Sequence, residues 1–357
     1  MSDHRVRRWA LPFATGLAVI GVGFFVLGLL AFPGGEGWGY DYRAYLDAAE
    51  RLAETGSLYQ AETIDGPYRP GPYGLYMYAP PLGVAMTPMT SLSVASGTIV
   101  WFLLHAAALG LACAVMPVRD PIRLAAFGLG ALSYAVTRDL VLGNVSLLLL
   151  LAMSVAWRWL DRPAGSVALA LAMSLRPTTG VFLIWQLLRR QWRAAAWVVG
   201  SGIVLIFVTL PFVGFDGYRE YVTVLGNMTE VTGVERNIDL GSMALEISAS
   251  EEVATLLLLS GYAVAIVAVL VSLRRDREVG FMVTLGASLL LSPLLWDHYL
   301  TALLLPAAFL AQRGRPVALL LPMLSWLPAV FLPWVVVLAT ILPFWARAAS
   351  PSRLGRS

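Results

Sequence analysis

Apolar residues run along this chain in blocks of about 20, the length that crosses a bilayer as a helix, parted by polar intervals rich in arginine. The blocks near residues 9–32, 94–116, 121–137, 140–160, 193–214 and 253–273 read as membrane helices. Another apolar region, 279–312, is interrupted at Ser292-Pro293-Leu294-Leu295-Trp296-Asp297-His298-Tyr299. The last, 316–345, carries Pro322, Pro328, Pro333 and Pro343 and reads as two short helices. Residues 163–188 lie between Arg158 and Arg162 on one side and Arg189, Arg190 and Arg193 on the other, with Arg176-Pro177 central. One straight helix would put the two arginine clusters on opposite faces of the membrane. Two half-helices hinged at Arg176-Pro177 put them on the same face, and that re-entrant pair is expected.

The expected fold class is therefore an all-α polytopic membrane protein with about ten transmembrane or re-entrant segments. The membrane domain covers 9–346, between a cytoplasmic N-terminus (1–8) and a cytoplasmic tail (347–357), with outer loops at 33–92 and 215–252. Arg5, Arg7 and Arg8 precede a run too long for a signal-peptide core, so the first helix is expected to be retained.

The first loop holds most of the polar chemistry. Tyrosines stand at 40, 42, 45, 59, 68, 73, 76 and 78, with Asp41 among them. Tyr42, Tyr45, Leu46, Ala49 and Leu52 recur at helical spacing and Gly56 stops the run, which predicts an amphipathic interfacial helix begun at Asp41. The Pro-rich stretch from 67 to 81 returns to the membrane surface, and 82–92 reads as a short helix.

Composition narrows the function classes. Charged residues make up 13% and hydrophobic ones 58%, against about a quarter charged in soluble domains. Nucleic acid is not an expected partner; membrane lipids are. Cys113 stands alone in an apolar run, and the histidines are dispersed at 4, 105 and 298, so neither a disulfide framework nor a His-rich metal site is expected. No cofactor is expected, with the convergence of Asp41, Asp139 and Asp297 left open as a route to a metal.

All 25 basic residues are arginine, and their distribution sets an orientation. With the N-terminus in the cytoplasm, 18 of the 25 fall inside, six outside, and Arg176 lies within the membrane. Asp41, Arg138-Asp139, the 215–252 loop and Asp297-His298 then share the extracytoplasmic side.

Each candidate has a plain reading beside its chemical one. Asp41 is a helix N-cap, a general base walled by tyrosines, or both. Arg176 is a snorkelling side chain, or a phosphate ligand beside the free amides of Thr178 and Thr179 after Pro177. Arg69, in the Pro-rich stretch, is a second candidate for donor phosphate. Asp297-His298-Tyr299 is a solvated turn or a polar wall of the site. Asn144 is a helix–helix hydrogen bond or a substrate contact, and Arg138 and Asp139 pair with one another or face the site. Tyr40, Tyr42 and Tyr78 belong to an interfacial belt or stack on sugar.

In order, Gly39-Tyr40-Asp41-Tyr42, Gly56 with Leu58-Tyr59, Tyr76, Tyr78 with Pro80-Pro81, Gly143-Asn144, Arg176-Pro177, and Ser292-Pro293 with Trp296 and His298 resemble glycosyltransferase family 87. The likeness covers about residues 38–300. These are the polyprenyl-phosphate-dependent mannosyl- and arabinosyltransferases of actinobacterial envelopes. The resemblance implies the GT-C membrane fold and an inverting transfer outside the cytoplasmic membrane. A sugar, mannose first, would pass from a polyprenyl-phosphate donor to a glycolipid or polysaccharide acceptor. It implies Asp41 as the base and His298 in the substrate lining, which the reading of the residues extends to Tyr40, Tyr42, Tyr78, Asp139, Asn144 and Asp297. Arg176 stands where the family commonly has lysine, and Asn144 where it commonly has glutamine. The alternative is a transporter or flippase of a lipid-linked sugar, for which a broken helix such as that at Arg176-Pro177 is also suited.

Overall fold

The structure, a computed structural model, describes residues 3–66, 74–228, 234 and 236–346, without the side chains of residues 3–9. Arg69, Tyr68, Tyr73 and the 347–357 tail lie outside the described residues. Among those described there is no strand. The helices are α1 (Asp3–Ala31), α2 (Tyr40–Thr55), α3 (Ala61–Ile64), α4 (Pro80–Met86), α5 (Val94–Val115), α6 (Asp120–Ala131), α7 (Tyr134–Leu142) and α8 (Ser146–Arg158). They continue as α9 (Pro163–Leu175), α10 (Val181–Leu188), α11 (Trp192–Asn227), α12 (Leu240–Glu246), α13 (Glu251–Ser272), α14 (Arg277–Leu290), α15 (Leu304–Gln312) and α16 (Leu332–Ile341).

Among the described residues, four helices are long and apolar enough to cross a membrane: the Ala10–Ala31 part of α1, α5, α11 and α13. A fifth crossing is made if α6 and α7, bent by 62°, count as one. The expected count of about ten is not reached by helices of that length; shorter apolar helices, α8 and α9 among them, stand beside them. Several expected boundaries move. α1 starts at Asp3 rather than 9. The expected 121–137 span breaks where the Ser133 hydroxyl caps α7 by accepting from the Val136 amide. The 140–160 span is divided where Gly143, at φ 71°, ends α7 in the left-handed region. α11 runs to Asn227, through a kink at Gly214 (φ 63°), so the first part of the expected 215–252 loop is helical. What holds it is contact with the first loop. Asn227 donates to the carbonyls of Thr63 and Ile64, both at 3.0 Å, and Ser57 donates to Glu220 at 2.7 Å.

Close packing follows small residues, as expected where lipid offers no hydrophobic drive between helices. A Cβ on Gly128 of α6 would meet the Leu17 backbone of α1, and Phe25 sets its ring edge-on to Phe127 at 5.8 Å. Buried hydroxyls of Ser154, Thr284 and Thr340 each donate to a carbonyl of their own helix.

α8 and α9 form a hairpin, and Arg277 shows how the chain goes on from it. Its guanidinium pairs with Asp161, donates to the Leu160 carbonyl at 3.1 Å, and donates to Gln191 at 2.9 Å. The start of α9 and the end of α10 therefore lie at one level, and the break at Arg176 lies at the other. Arg189, which donates to the carbonyls of Ser272 and Arg275, and Arg313, which pairs with Asp276 and Glu278, belong to the same arginine-rich end. The opposite end, about 20 Å away along α8 at 1.5 Å per residue, gathers the starts of α2, α5 and α8.

The apolar face of α2 is covered by protein. Tyr42, Tyr45, Leu46, Ala49 and Leu52 are buried against Tyr76, Leu82, Met86, Trp101, Val213 and Val224. Bare approach allows this: a Cβ on Gly97 of α5 would strike the Tyr42 hydroxyl.

Candidate active site

A cavity of about 580 Å³ opens at the end of the bundle away from the arginine clusters. Its walls come from the start of α2, the loop before α4, the end of α7, and the segment between α14 and α15. Tyr40, Asp41, Tyr78, Asn144, Asp297 and His298, all expected from the sequence, line it.

Backbone geometry at two glycines brings α2 to α7. Gly39, at φ 68°, donates its amide to the Val141 carbonyl at 2.8 Å. Gly143 accepts from the Trp101 indole at 2.7 Å, and a Cβ there would fall 2.9 Å from that of Tyr42. Asp41 thus enters in the first turn of α2 after Gly39. No side chain caps this helix, so the N-cap reading of Asp41 is replaced. The Asp41 carboxylate instead accepts from the Asn144 amide at 2.9 Å. Gly74 passes so close that a Cβ would lie 2.8 Å from Asp41 Oδ1.

Asn144 is the hub of the polar wall. Its NH2 also reaches the Tyr78 hydroxyl at 3.0 Å, and its Oδ1 accepts from the Ser146 hydroxyl at 2.9 Å. Tyr45 donates to Tyr78 at 3.1 Å. Burial pushes the phenols of Tyr45 and Tyr78 well above their usual range, so both keep their protons. Burial likewise raises Asp41, partly offset by His298, the Asn144 hydrogen bond and Arg138. The carboxyl keeps some solvent access, through the cavity. A carboxylate held this way is a stronger base than a free one.

Asp297 moves the other way. Burial would raise it, but the hydrogen bond and charge of His298, with Arg138, bring it below the ordinary value. Arg138 stands 3.6 Å from Asp297, and His298 Nδ1 is 3.3 Å from the same carboxylate. The expected alternative of an Arg138–Asp139 pair does not form: neighbours on a helix point about 100° apart. Arg138 faces the cavity, whereas Asp139 is fully buried and accepts from the Ser146 amide at 3.0 Å. Asp41, Asp139 and Asp297 do not gather into a metal-ligand set among the described residues.

Two other expected site residues lie elsewhere. Tyr42 is buried under Trp101, behind the wall. Arg176 is buried too, its guanidinium 3.3 Å from the centre of the Tyr299 ring and donating to Ser146 at 3.3 Å. Tyr299 lines the cavity and Arg176 sits behind it. Burial rules out the snorkelling reading, and the Thr179 amide is not free, because it donates to the Arg176 carbonyl at 3.1 Å. Arg69 falls outside the described residues.

Sequence reasoning missed Ser146, Arg236 and Asn237. Arg236 and Trp296 line the cavity. Asn237 is fully buried and latches two loops: it donates to the Pro293 carbonyl at 3.0 Å and accepts from the Leu295 amide at 2.9 Å. The Ile238 amide adds a bond to the Leu295 carbonyl at 2.8 Å. That latch holds the segment carrying Trp296, Asp297 and His298. Nothing in the sequence marked this pairing, because Asn237 stands in a polar loop 56 positions before Pro293.

Among known proteins, the model of the family described as glycosyltransferase family 87 matches residues 76–293, more than half of the chain. The matched stretch includes Tyr78, Arg138, Asn144 and Arg176, with Asp41 before it and His298 after it. No curated protein and no solved structure matches.

Proposed function

The chain belongs to glycosyltransferase family 87, and from that premise we propose that it transfers a sugar from a polyprenyl-phosphate donor with Asp41 as general base. The observation that carries the reading is Asp41 itself, a carboxylate presented to the cavity by Gly39, Gly74 and Asn144. The acceptor hydroxyl attacks the anomeric carbon while its proton passes to Asp41. The bond from that carbon to the phosphate oxygen breaks, and the phosphate leaves with the electron pair. One displacement inverts the anomeric centre.

The leaving group needs positive charge near it, where burial makes each interaction worth more than in water. Arg138, Arg236 and His298 share the cavity with Asp41 and suit that role. Arg176 adds its charge from behind Tyr299. Arginine clusters at the other end of the helices support an extracytoplasmic site by the positive-inside rule. An extracytoplasmic site would meet the headgroup of a lipid-linked donor.

The test is transfer by the purified protein in detergent, with synthetic polyprenyl-phosphate mannose and arabinose and a short glycan acceptor. Transfer by wild type and none by Asp41→Asn, with donor binding retained, is the expected result. Undiminished transfer by Asp41→Asn would sink the proposed base.

A further inference from the structure

The hydrogen bonds behind Asp41 run in one direction, and Arg176 sets it. A guanidinium has donors only, so the Ser146 oxygen must accept from Arg176. The Ser146 proton then goes to Asn144 Oδ1. With its oxygen engaged, Asn144 turns its NH2 toward Asp41 Oδ2 at 2.9 Å and the Tyr78 oxygen at 3.0 Å. The opposite amide orientation would set Asn144 Oδ1 against the carboxylate and its NH2 against the Ser146 hydroxyl. Without the chain from Arg176, nothing at Ser146 distinguishes the two orientations, because a hydroxyl donates or accepts equally well.

We infer that Arg176 and Ser146 are positioning residues for the reaction: through the Asn144 amide they hold the Asp41 carboxylate oriented and hydrogen-bonded for proton abstraction. Geometry separates this role from donor binding, since neither residue lines the cavity that Asp41 faces. Arg176 has its guanidinium plane against Tyr299, and Ser146 begins α8 with its amide bonded to Asp139. The inference rests on the reading of Asp41 as the base.

Other groups also act on Asp41, and one of them, Asp139, also accepts hydrogen bonds from Ser146. They are Tyr40 and Tyr45 on α2, Tyr78 before α4, Arg138 and Asp139 on α7, and Asp297, His298 and Tyr299 after α14. Replacing Arg176 removes a charge as well as a donor, so Ser146 carries the cleaner test.

Infrared difference spectra of the carboxyl region, taken across pH on the intact protein with Asp41→Asn as the reference, follow protonation of Asp41 without any substrate. Ser146→Ala is expected to move the Asp41 midpoint to higher pH, because a freed Asn144 amide can turn its oxygen to accept from the protonated carboxyl and so stabilises that form. Ser146→Thr retains the hydroxyl and is expected to restore the wild-type midpoint. A midpoint that Ser146→Ala leaves in place overturns the inference, even if the variant unfolds at lower temperature. Sugar transfer surviving in Asp41→Asn would remove the base reading and this inference together. An unmoved midpoint in a protein that Asp41→Asn inactivates would remove the positioning role alone.

Discussion

The Asn144 amide lies 2.9 Å from the Asp41 carboxylate across 103 positions of sequence. The two residues come from different elements of the fold. Asp41 stands in the first turn of α2, and Asn144 in the two-residue gap after Gly143. The consequences of this pairing are measurable in several ways.

Asp41 must be ionised to accept a proton, and burial holds it above its ordinary 3.8. The rate is therefore expected to climb with pH through a point above 3.8. Stability should move oppositely. A carboxyl whose folded value is raised favours the folded state while protonated, and that advantage fades as pH rises from the unfolded value through the folded one. Asp41→Asn should be inactive yet no less stable than wild type at neutral pH. Thermal unfolding of both proteins across that range checks the sign.

Gly74→Ala would place a methyl 2.8 Å from Asp41 Oδ1 and 3.2 Å from the Tyr40 ring. Something has to shift, and the carboxylate is the nearest atom. A loss of turnover of roughly ten- to a hundredfold is expected, in keeping with the cost of displacing a reacting group. Single-turnover rates alongside a melting curve would separate this from misfolding.

Arg138 reaches the cavity and Arg176 does not. Arg138→Ala and Arg236→Ala are each expected to raise the donor KM by about tenfold, the loss of one charge-assisted hydrogen bond. In Arg138→Ala the acid limb of the rate should also move to higher pH, because that guanidinium holds Asp41 down. Donor titration and a pH profile on the same preparations provide both readings.

Asn237→Ala removes a buried amide that serves the Pro293 carbonyl and the Leu295 amide. Leaving these groups unsatisfied is expected to cost about 1–3 kcal/mol. Because the latch carries Trp296 and His298, activity should fall further than Asp41 protonation alone explains. Chemical unfolding in detergent, compared with residual transfer, tests this.

Gly143→Ala combines a left-handed φ of 71° with a Cβ 3.1 Å from Trp101 and 2.9 Å from Tyr42. A destabilisation of about 1–2 kcal/mol is expected from the backbone alone, with more from the clash. The melting temperature is the measurement.

Much of this protein was legible in its residues, because the signals are local. Blocks of apolar residues must be helices in a bilayer, since nothing else there satisfies the backbone. Most arginines fall in the intervals between those blocks, and Pro177 and Pro293 had to interrupt them. An acid beside Gly39, ahead of an amphipathic run, marked Asp41. What only the tertiary structure decided are relations between segments. Helical phase turned Arg138 to the cavity and Asp139 to the core, a difference of one position. Arg176, the most conspicuous charge in the sequence, lies behind Tyr299, and its reach to Asp41 depends on Ser146, a residue with nothing to mark it. α11 continued past Gly214 because Tyr59, Thr63 and Ile64 gave its polar end partners to pack and bond against. Periodicity reports which face of a segment is buried; it carries no record of what that face will meet. The partners come from distant parts of the chain, and only folding brings them within hydrogen-bond distance.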